Sequence, residues 1–324
     1  MSRFKDITLK LIKPAMSVVL IYLLFKFGKV TPSQIANMFS KANPVLCIFA
    51  FIFLVLSNFI CAYRWKMLAS VLGFERRFSE YSKYYFMGLF FNLFLPSTIG
   101  GDFSRTYYLA QDKSRYKKAL ATVLADRFIG LSILFLFASC GLIFAVNNSS
   151  FPATYKLVIV ILTMGIFGVV PFIPKIVNLF FKKENYITHV FNASSLSVYW
   201  QNNKLIAQSL IWSAILQTVV VVCHVLIGYS MGLFQIPIWY YFIFYPIVAV
   251  LAFVVPSING IGVREWAYAY FLGLVGVTYV NGITYAFIWL TLNTLTSLVG
   301  GLVYMFGDFK IDSNILNSIQ HERA

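Results

Sequence analysis

The chain has 324 residues, 60% hydrophobic and 11% charged, with a net charge of +15 at pH 7 and a mean hydropathy of +0.78. Soluble domains carry about 25% charged residues, so a soluble enzyme or binding module is excluded and an all-α polytopic integral membrane protein is expected. The basic residues are scattered between apolar segments, the pattern of cytoplasmic loops facing anionic lipid, so nucleic acid is not an expected partner.

The N-terminal stretch MSRFKDITLKLIKPAMSVVLIYLLF has the basic head and apolar body of a targeting peptide, but no small-x-small cleavage site precedes Lys26 and Lys29. An uncleaved first span is therefore expected over about Ala15–Phe27, extended by its neighbours. Crossing a bilayer takes about 20 apolar residues, and the next candidates are Pro44–Tyr63, Ala119–Val146, Leu157–Phe181, Leu205–Phe234 and Ile283–Phe306. Charge orients these six spans. Arg3, Lys5, Lys10 and Lys13 precede the first, and Arg64, Lys66, Arg76, Arg77 and Lys83 follow the second. Lys113, Arg115, Lys117 and Lys118 precede the third, while Lys182, Lys183 and Lys204 separate the fourth from the fifth. Both termini are expected to be cytoplasmic, in the inner membrane.

Between the second and third spans, YYFMGLFFNLFL (Tyr84–Leu95) lies between basic stretches. Its twelve residues reach about 18 Å as a helix, against a hydrocarbon core of about 30 Å. It is expected to enter from the cytoplasm, stop at Pro96 and the Gly100-Gly101 pair, and return through DFSRTYYLAQ as a re-entrant hairpin. Irregular backbone at that depth is tolerated where it is buried in protein or faces a watery cavity. VPSINGIGVRE (Val255–Glu265) repeats the motif, with Pro96, Ser97 and Gly100 recurring as Pro256, Ser257 and Gly260, each 160 residues later. Both copies follow a Tyr-Tyr-Phe (Tyr84–Phe86 and Tyr240–Phe242). By charge the second copy starts outside, although Trp239–Pro256, about 27 Å as a helix, is long enough nearly to span. The expected architecture is one transmembrane domain: about six full spans plus two re-entrant helical hairpins arranged as an inverted repeat. Repeat one covers about 1–150, repeat two about 151–310, and a cytoplasmic tail 311–324. Such repeats with broken helices are a transporter plan, with the site near the midplane.

Charges inside a membrane segment face the interior and find partners. Asp102 and Arg105, spaced i, i+3, either pair across one turn or leave Asp102 as a helix cap. Gly100 and Gly101 let backbone N–H groups approach an anion at the helix start. Asp126 and Arg127, about 12 Å into the third span, point about 100° apart and need different partners, unless Arg127 snorkels to the surface. Gly262, Arg264 and Glu265 close the second motif, where the last two also read as an interfacial ion pair in water. Asn92 and Asn259, one per hairpin, either contact a headgroup or satisfy freed backbone groups. Ser209, Ser213, Gln217 and His224 share a face of the fifth span, lining a cavity or bonding neighbouring helices. Thr291, Thr294, Ser297 and Gly301 suggest close packing of the last span. The four cysteines lack CxxC spacing and one histidine lies in a span, so no metal and no cofactor is expected.

With NLFLPSTIGGDFSR, ADRFIG and GIGVRE in order, the chain resembles, from about Val18 to Asp308, the flippase-like family that includes the transmembrane region of lysylphosphatidylglycerol synthases. The resemblance implies movement of lipids with modified headgroups between leaflets. It implies that role for Asn92, Pro96, Gly101, Asp102, Arg105, Asp126, Arg127, Gly262, Arg264 and Glu265. Those synthases carry an aminoacyl-transferase domain after the membrane region; this sequence stops at Ala324, so lysine transfer is not expected. No GxxxxGK[ST] stretch is present, so ATP hydrolysis is not expected either. The leading expectation is a lipid translocase passing an anionic or modified headgroup through a polar cavity, with room for a separate lipid-modifying enzyme as partner. The alternative is an intramembrane enzyme transferring a group on a lipid phosphate, with Asp102 or Asp126 as general base.

Overall fold

The computed structural model describes residues 31–94, 100–112, 114–145, 202–255, 257 and 260–306, together with residues 154, 157, 160, 198 and 199. The expected first span, nearly all of the fourth, the turn residues Pro96, Pro256 and Asn259, and the C-terminal tail lie outside the described residues.

Nine helices and no strand occur among the described residues. α1 (Pro32–Lys41) starts where the Thr31 hydroxyl accepts the Gln34 N–H and the Gln34 side chain accepts the Thr31 N–H, a reciprocal cap with proline in the first turn. α2 (Pro44–Val71) is capped by Asn43, whose side-chain oxygen accepts from Val45 and Leu46. α3 (Phe78–Phe94) and α4 (Gly100–Ala110) pack on one another, and α5 (Tyr116–Ala145) follows. α6 (Asn203–Ser230) is capped by Asn202. α7 (Ile238–Val254) and α8 (Val263–Gly273) form a second packed pair, and α9 (Tyr279–Phe306) ends the described chain.

Four of these helices, α2, α5, α6 and α9, are long and apolar enough to cross a membrane. They coincide with the second, third, fifth and sixth expected spans; α2 runs on past Tyr63 to Val71. Val45, Ile48, Phe49, Ile52, Leu56 and Phe59 form an exposed apolar stripe along α2 at helical spacing, the face that meets lipid. α3 and α7, at 17 residues each, reach about 26 Å and fall short of the core thickness. Their partners α4 and α8 have 11 residues each. α3 begins six residues before Tyr84, so the first short helix is longer than the apolar run suggested.

Among the described helices, α2 to α5 and α6 to α9 run in the same order, long, short, short, long. α2 and α6 both have 28 residues, and α7 begins 160 residues after α3. Packing follows the same exchange: α3 lies on α9 as α7 lies on α5, and α4 lies on α5 as α8 lies on α9. α2 and α6 run antiparallel along their length. Asn43 N–H donates to Ser230 O at 2.8 Å, Cys223 Sγ meets Ala50 O at 3.5 Å, Arg64 Nη1 donates to Ser213 Oγ at 2.7 Å, and Tyr199 OH donates to Leu68 O at 2.9 Å. The two short pairs are thereby entered from opposite ends of the bundle.

Glycine permits two close approaches. A Cβ on Gly101 would collide with the Gly88 carbonyl and the Asn92 side chain, so α3 and α4 touch backbone to backbone there. A Cβ on Gly300 would collide with the Phe86 carbonyl, which seats α9 against α3.

Candidate functional site

Among the described residues, a buried charge cluster is contributed by α2, α4 and α5. Asp102 is the third residue of α4, and Arg105 follows one turn later. Asp102 Oδ1 accepts from Arg105 Nη2 at 2.5 Å, and its two oxygens take Arg127 from α5 as a fork, with Nε to Oδ2 and Nη2 to Oδ1 both at 2.9 Å. Asp126, adjacent to Arg127 but facing another way, accepts from Arg64 Nε at 2.8 Å and lies 3.7 Å from Arg105 Nη1. Arg64 also reaches the Asp126 carbonyl at 3.2 Å and Ser213 on α6. Forked guanidinium–carboxylate bonds fix orientation as well as charge.

Arg105 is 2% exposed and sandwiched between rings, its guanidinium carbon 5.2 Å from the Trp65 centroid and 4.7 Å from the Tyr85 centroid. Its Nη1 has no hydrogen-bond partner. Among the described residues three arginines face two aspartates, an excess of one positive charge inside an apolar bundle. Arg127, with 39% of its side chain exposed, is the point at which the cluster meets its surroundings.

At the start of α4, Asn92 Oδ1 accepts the Gly101 N–H at 2.6 Å, so this asparagine satisfies a backbone group freed where the helix begins. The second motif is arranged differently. Gly260 and Gly262 take positive φ of 78° and 89°, backbone that glycine adopts without strain. Glu265 Oε2 accepts the Gly262 N–H at 2.6 Å. Glu265 is 1% exposed, and among the described residues neither it nor Arg264 makes an ion pair. The reading of these two as an interfacial ion pair in water is therefore corrected: α8 turns Glu265 inward, while the Arg264 side chain packs over Gly260.

Three residues of the polar stripe of α6 bond to neighbouring helices, while the buried Ser209 hydroxyl has no hydrogen-bond partner among the described residues. Ser213 takes Arg64, Gln217 Oε1 accepts from Tyr245 OH at 2.9 Å, and His224 Nε2 meets Tyr268 OH at 2.8 Å. His224 Nδ1 lies 2.9 Å from the Val220 carbonyl, so Nδ1 carries the proton and Nε2 accepts from the tyrosine. The stripe thus runs from the arginine cluster to the second short pair.

Of the sequence-predicted site residues, the structure brings Asp102, Arg105, Asp126 and Arg127 together. It sets Gly260, Gly262, Arg264 and Glu265 at the other pair, with Gly100, Gly101 and Asn92 at the start of α4. Sequence reasoning missed Arg64, counted there as a loop charge after the second span; it is 4% exposed and within α2. Its signal was spacing, since Ser57, Cys61, Arg64 and Leu68 recur on one buried helical face. Among the described residues no group of three or more His, Cys, Asp or Glu is placed to hold a metal. A cavity of about 350 Å³, lined by Phe39, Cys47, Phe51 and Leu292 among others, lies between the start of α2 and α9 and is almost wholly apolar.

The family model of the lysylphosphatidylglycerol synthase TM region matches residues 10–301. The chain belongs to that family. It is an integral membrane protein, consistent with its four long apolar helices. A curated relative, a UPF0104 membrane protein of Methanocaldococcus jannaschii, is 31% identical over 133 residues, covering 39% of this chain and 40% of the relative. The chain therefore spans less than half of the relative it matches. No solved structure matches it.

Proposed function

We propose that the protein is a flippase-like lipid translocase of the inner membrane, moving a lipid with an anionic or modified headgroup between leaflets without altering it chemically. The observation that carries this is the unbalanced cluster. A charged residue in hydrocarbon costs about 2.5–3.5 kcal/mol on insertion scales, and here Nη1 of Arg105, with both its N–H groups, has no hydrogen-bond partner among the described residues. An interior positive charge with a free donor suits an anionic group. Asp102 holds Arg105 and Arg127 in fixed geometry, and the half-open Arg127 receives the headgroup first. The Arg64–Asp126 pair braces α2 against α5 while the tails stay in lipid along the exposed apolar faces.

The architecture of this reading is a single domain of two inverted repeats, about 1–150 and 151–310, with six spans, two re-entrant pairs and both termini cytoplasmic. The antiparallel α2–α6 pairing, the matched helix lengths and the exchanged packing partners support it.

The test is headgroup passage of a fluorescent phosphatidylglycerol in proteoliposomes, read by quenching the outer leaflet. Wild type should outpace both Arg127→Gln and the Asp102→Asn, Arg105→Ala variant by tenfold or more, about 1.4 kcal/mol of barrier. Equal rates for all three would remove the reading. A recovered lipid of altered mass would mark group-transfer chemistry instead.

A further inference from the structure

Glu265 is a buried acid that the arginine cluster does not use. Its Oε2 accepts the Gly262 N–H, which is an ordinary helix-start bond. Its Oε1 is buried and has no hydrogen-bond partner. Asp102 holds the same place, third in an 11-residue second arm, and is bound by two arginines. Among the described residues, the titratable side chains packed around Glu265 and its helix are Arg264, Tyr268 and Tyr270 on α8, Tyr240 and Tyr245 on α7, His224 on α6 and Tyr285 on α9. Only Arg264 carries a fixed charge, and it lies over Gly260 and not against the carboxyl oxygens.

Magnitudes decide what form such a group takes. An isolated carboxylate in apolar surroundings is several kcal/mol worse than a neutral carboxyl, and the helix N-terminus returns about 0.3–1 kcal/mol, at most about 2. The neutral acid wins.

We infer that Glu265 is a proton-binding site: Oε1 takes a proton from water, the carboxyl stays neutral while enclosed as here, and the proton returns to water when the site is hydrated during lipid passage. The inference rests on the translocase reading for its use, and makes transport sensitive to protons at a place remote from the headgroup charges. Proton binding at one acid conserves charge and needs no co-reactant.

Two measurements test it on the full chain in lipid nanodiscs and vesicles. Infrared difference spectra at neutral pH should show a protonated-carboxyl band that Glu265→Gln removes and Glu265→Asp shifts; the aspartate variant guards against a glutamine variant that fails to fold. In vesicles carrying fluorescent phosphatidylglycerol, wild-type passage should vary with pH, up to about tenfold per unit, the limit for one bound proton. Glu265→Gln should flatten that dependence whatever its absolute rate. Wild type without the band, or moving lipid at a rate indifferent to pH, overturns the inference and leaves the translocase reading standing. Wild type that moves no lipid at any pH removes the translocase reading instead, and the band alone then decides whether Glu265 carries a proton.

Discussion

Asp102 and Glu265 are each the third residue of an 11-residue helix that follows a 17-residue partner, and their surroundings differ in kind. Around Asp102 two guanidiniums converge, and Arg105 lies over Trp65 and Tyr85. Around α8 the corresponding places hold neutral groups. Tyr268 stands five residues into α8, as Arg105 does in α4; His224 stands in α6 where Trp65 stands in α2; Tyr245 stands in α7 where Tyr85 stands in α3. One contact repeats in place, Arg105 on the Trp65 ring becoming Tyr268 on the His224 ring nitrogen; at the next matching residues Trp65 Nε1–H donates to Thr122 Oγ1, whereas Tyr285 OH donates to the His224 backbone carbonyl. Among the described residues the two pairs share a layout, with a fixed charge cluster at one and an aromatic site without an ion pair at the other. Helix lengths and crossing points rest on backbone contact, whereas electrostatics changes with a handful of side chains.

The largest effect that this comparison predicts is at Arg64. Arg64→Ala leaves Asp126 buried with Arg105 Nη1 at 3.7 Å as its remaining cation, and breaking a buried pair costs about 3–5 kcal/mol. The residue at the same place in α6 is Cys223, whose thiol makes a weak bond to Ala50 O. Cys223→Ala should cost about 1 kcal/mol, little more than a buried methylene. Thermal unfolding in one detergent compares them, and equal losses would mean that the charge cluster contributes nothing special to its half.

Arg64 also marks where sequence reading stopped. The four long helices were legible because an apolar run near 20 residues matches the thickness of a bilayer and little else, and the two short pairs because a proline and glycines interrupt runs too short to cross. Asp102 and Arg105 were legible as a pair because their spacing is local. Arg64 was not, because Arg64, Trp65 and Lys66 after an apolar run look like a membrane exit, and its partner Asp126 is 62 residues away. The alternative reading of Glu265 fails for the same reason: adjacency to Arg264 suggests an ion pair, and the packing of α8 sets the two side chains apart.

The next effect contrasts the two acids directly. Asp102→Asn strands Arg105, which is almost fully enclosed, and loosens Arg127; the expected loss is about 3 kcal/mol, the low end for a buried pair because Arg127 is 39% exposed. Glu265→Gln leaves no cation stranded, and the amide oxygen keeps the Gly262 bond, so the change should stay within about 1 kcal/mol. Unfolding of both variants at neutral pH sharpens the comparison. If Glu265→Gln lost as much as Asp102→Asn, Glu265 would be holding a paired charge after all, and the distinction between the two halves would fail.

The smallest effect lies within the aromatic site around α8. Tyr268 OH and His224 Nε2, 2.8 Å apart, are both fully enclosed, and His224 is ringed by Tyr245 at 4.5 Å and Trp289 at 4.1 Å between centroids. Tyr268→Phe keeps the ring and removes the donor, leaving Nε2 without a partner, for a loss of about 1 kcal/mol. The bond itself is isolated by a double-mutant cycle with His224→Phe, a substitution the surrounding rings accommodate in shape. A coupling near 1 kcal/mol assigns the pair the place in its half that Arg105 and Trp65 hold in the other. A coupling near zero would mean that Tyr268 and His224 merely pack side by side, and that the correspondence between the halves is one of shape alone.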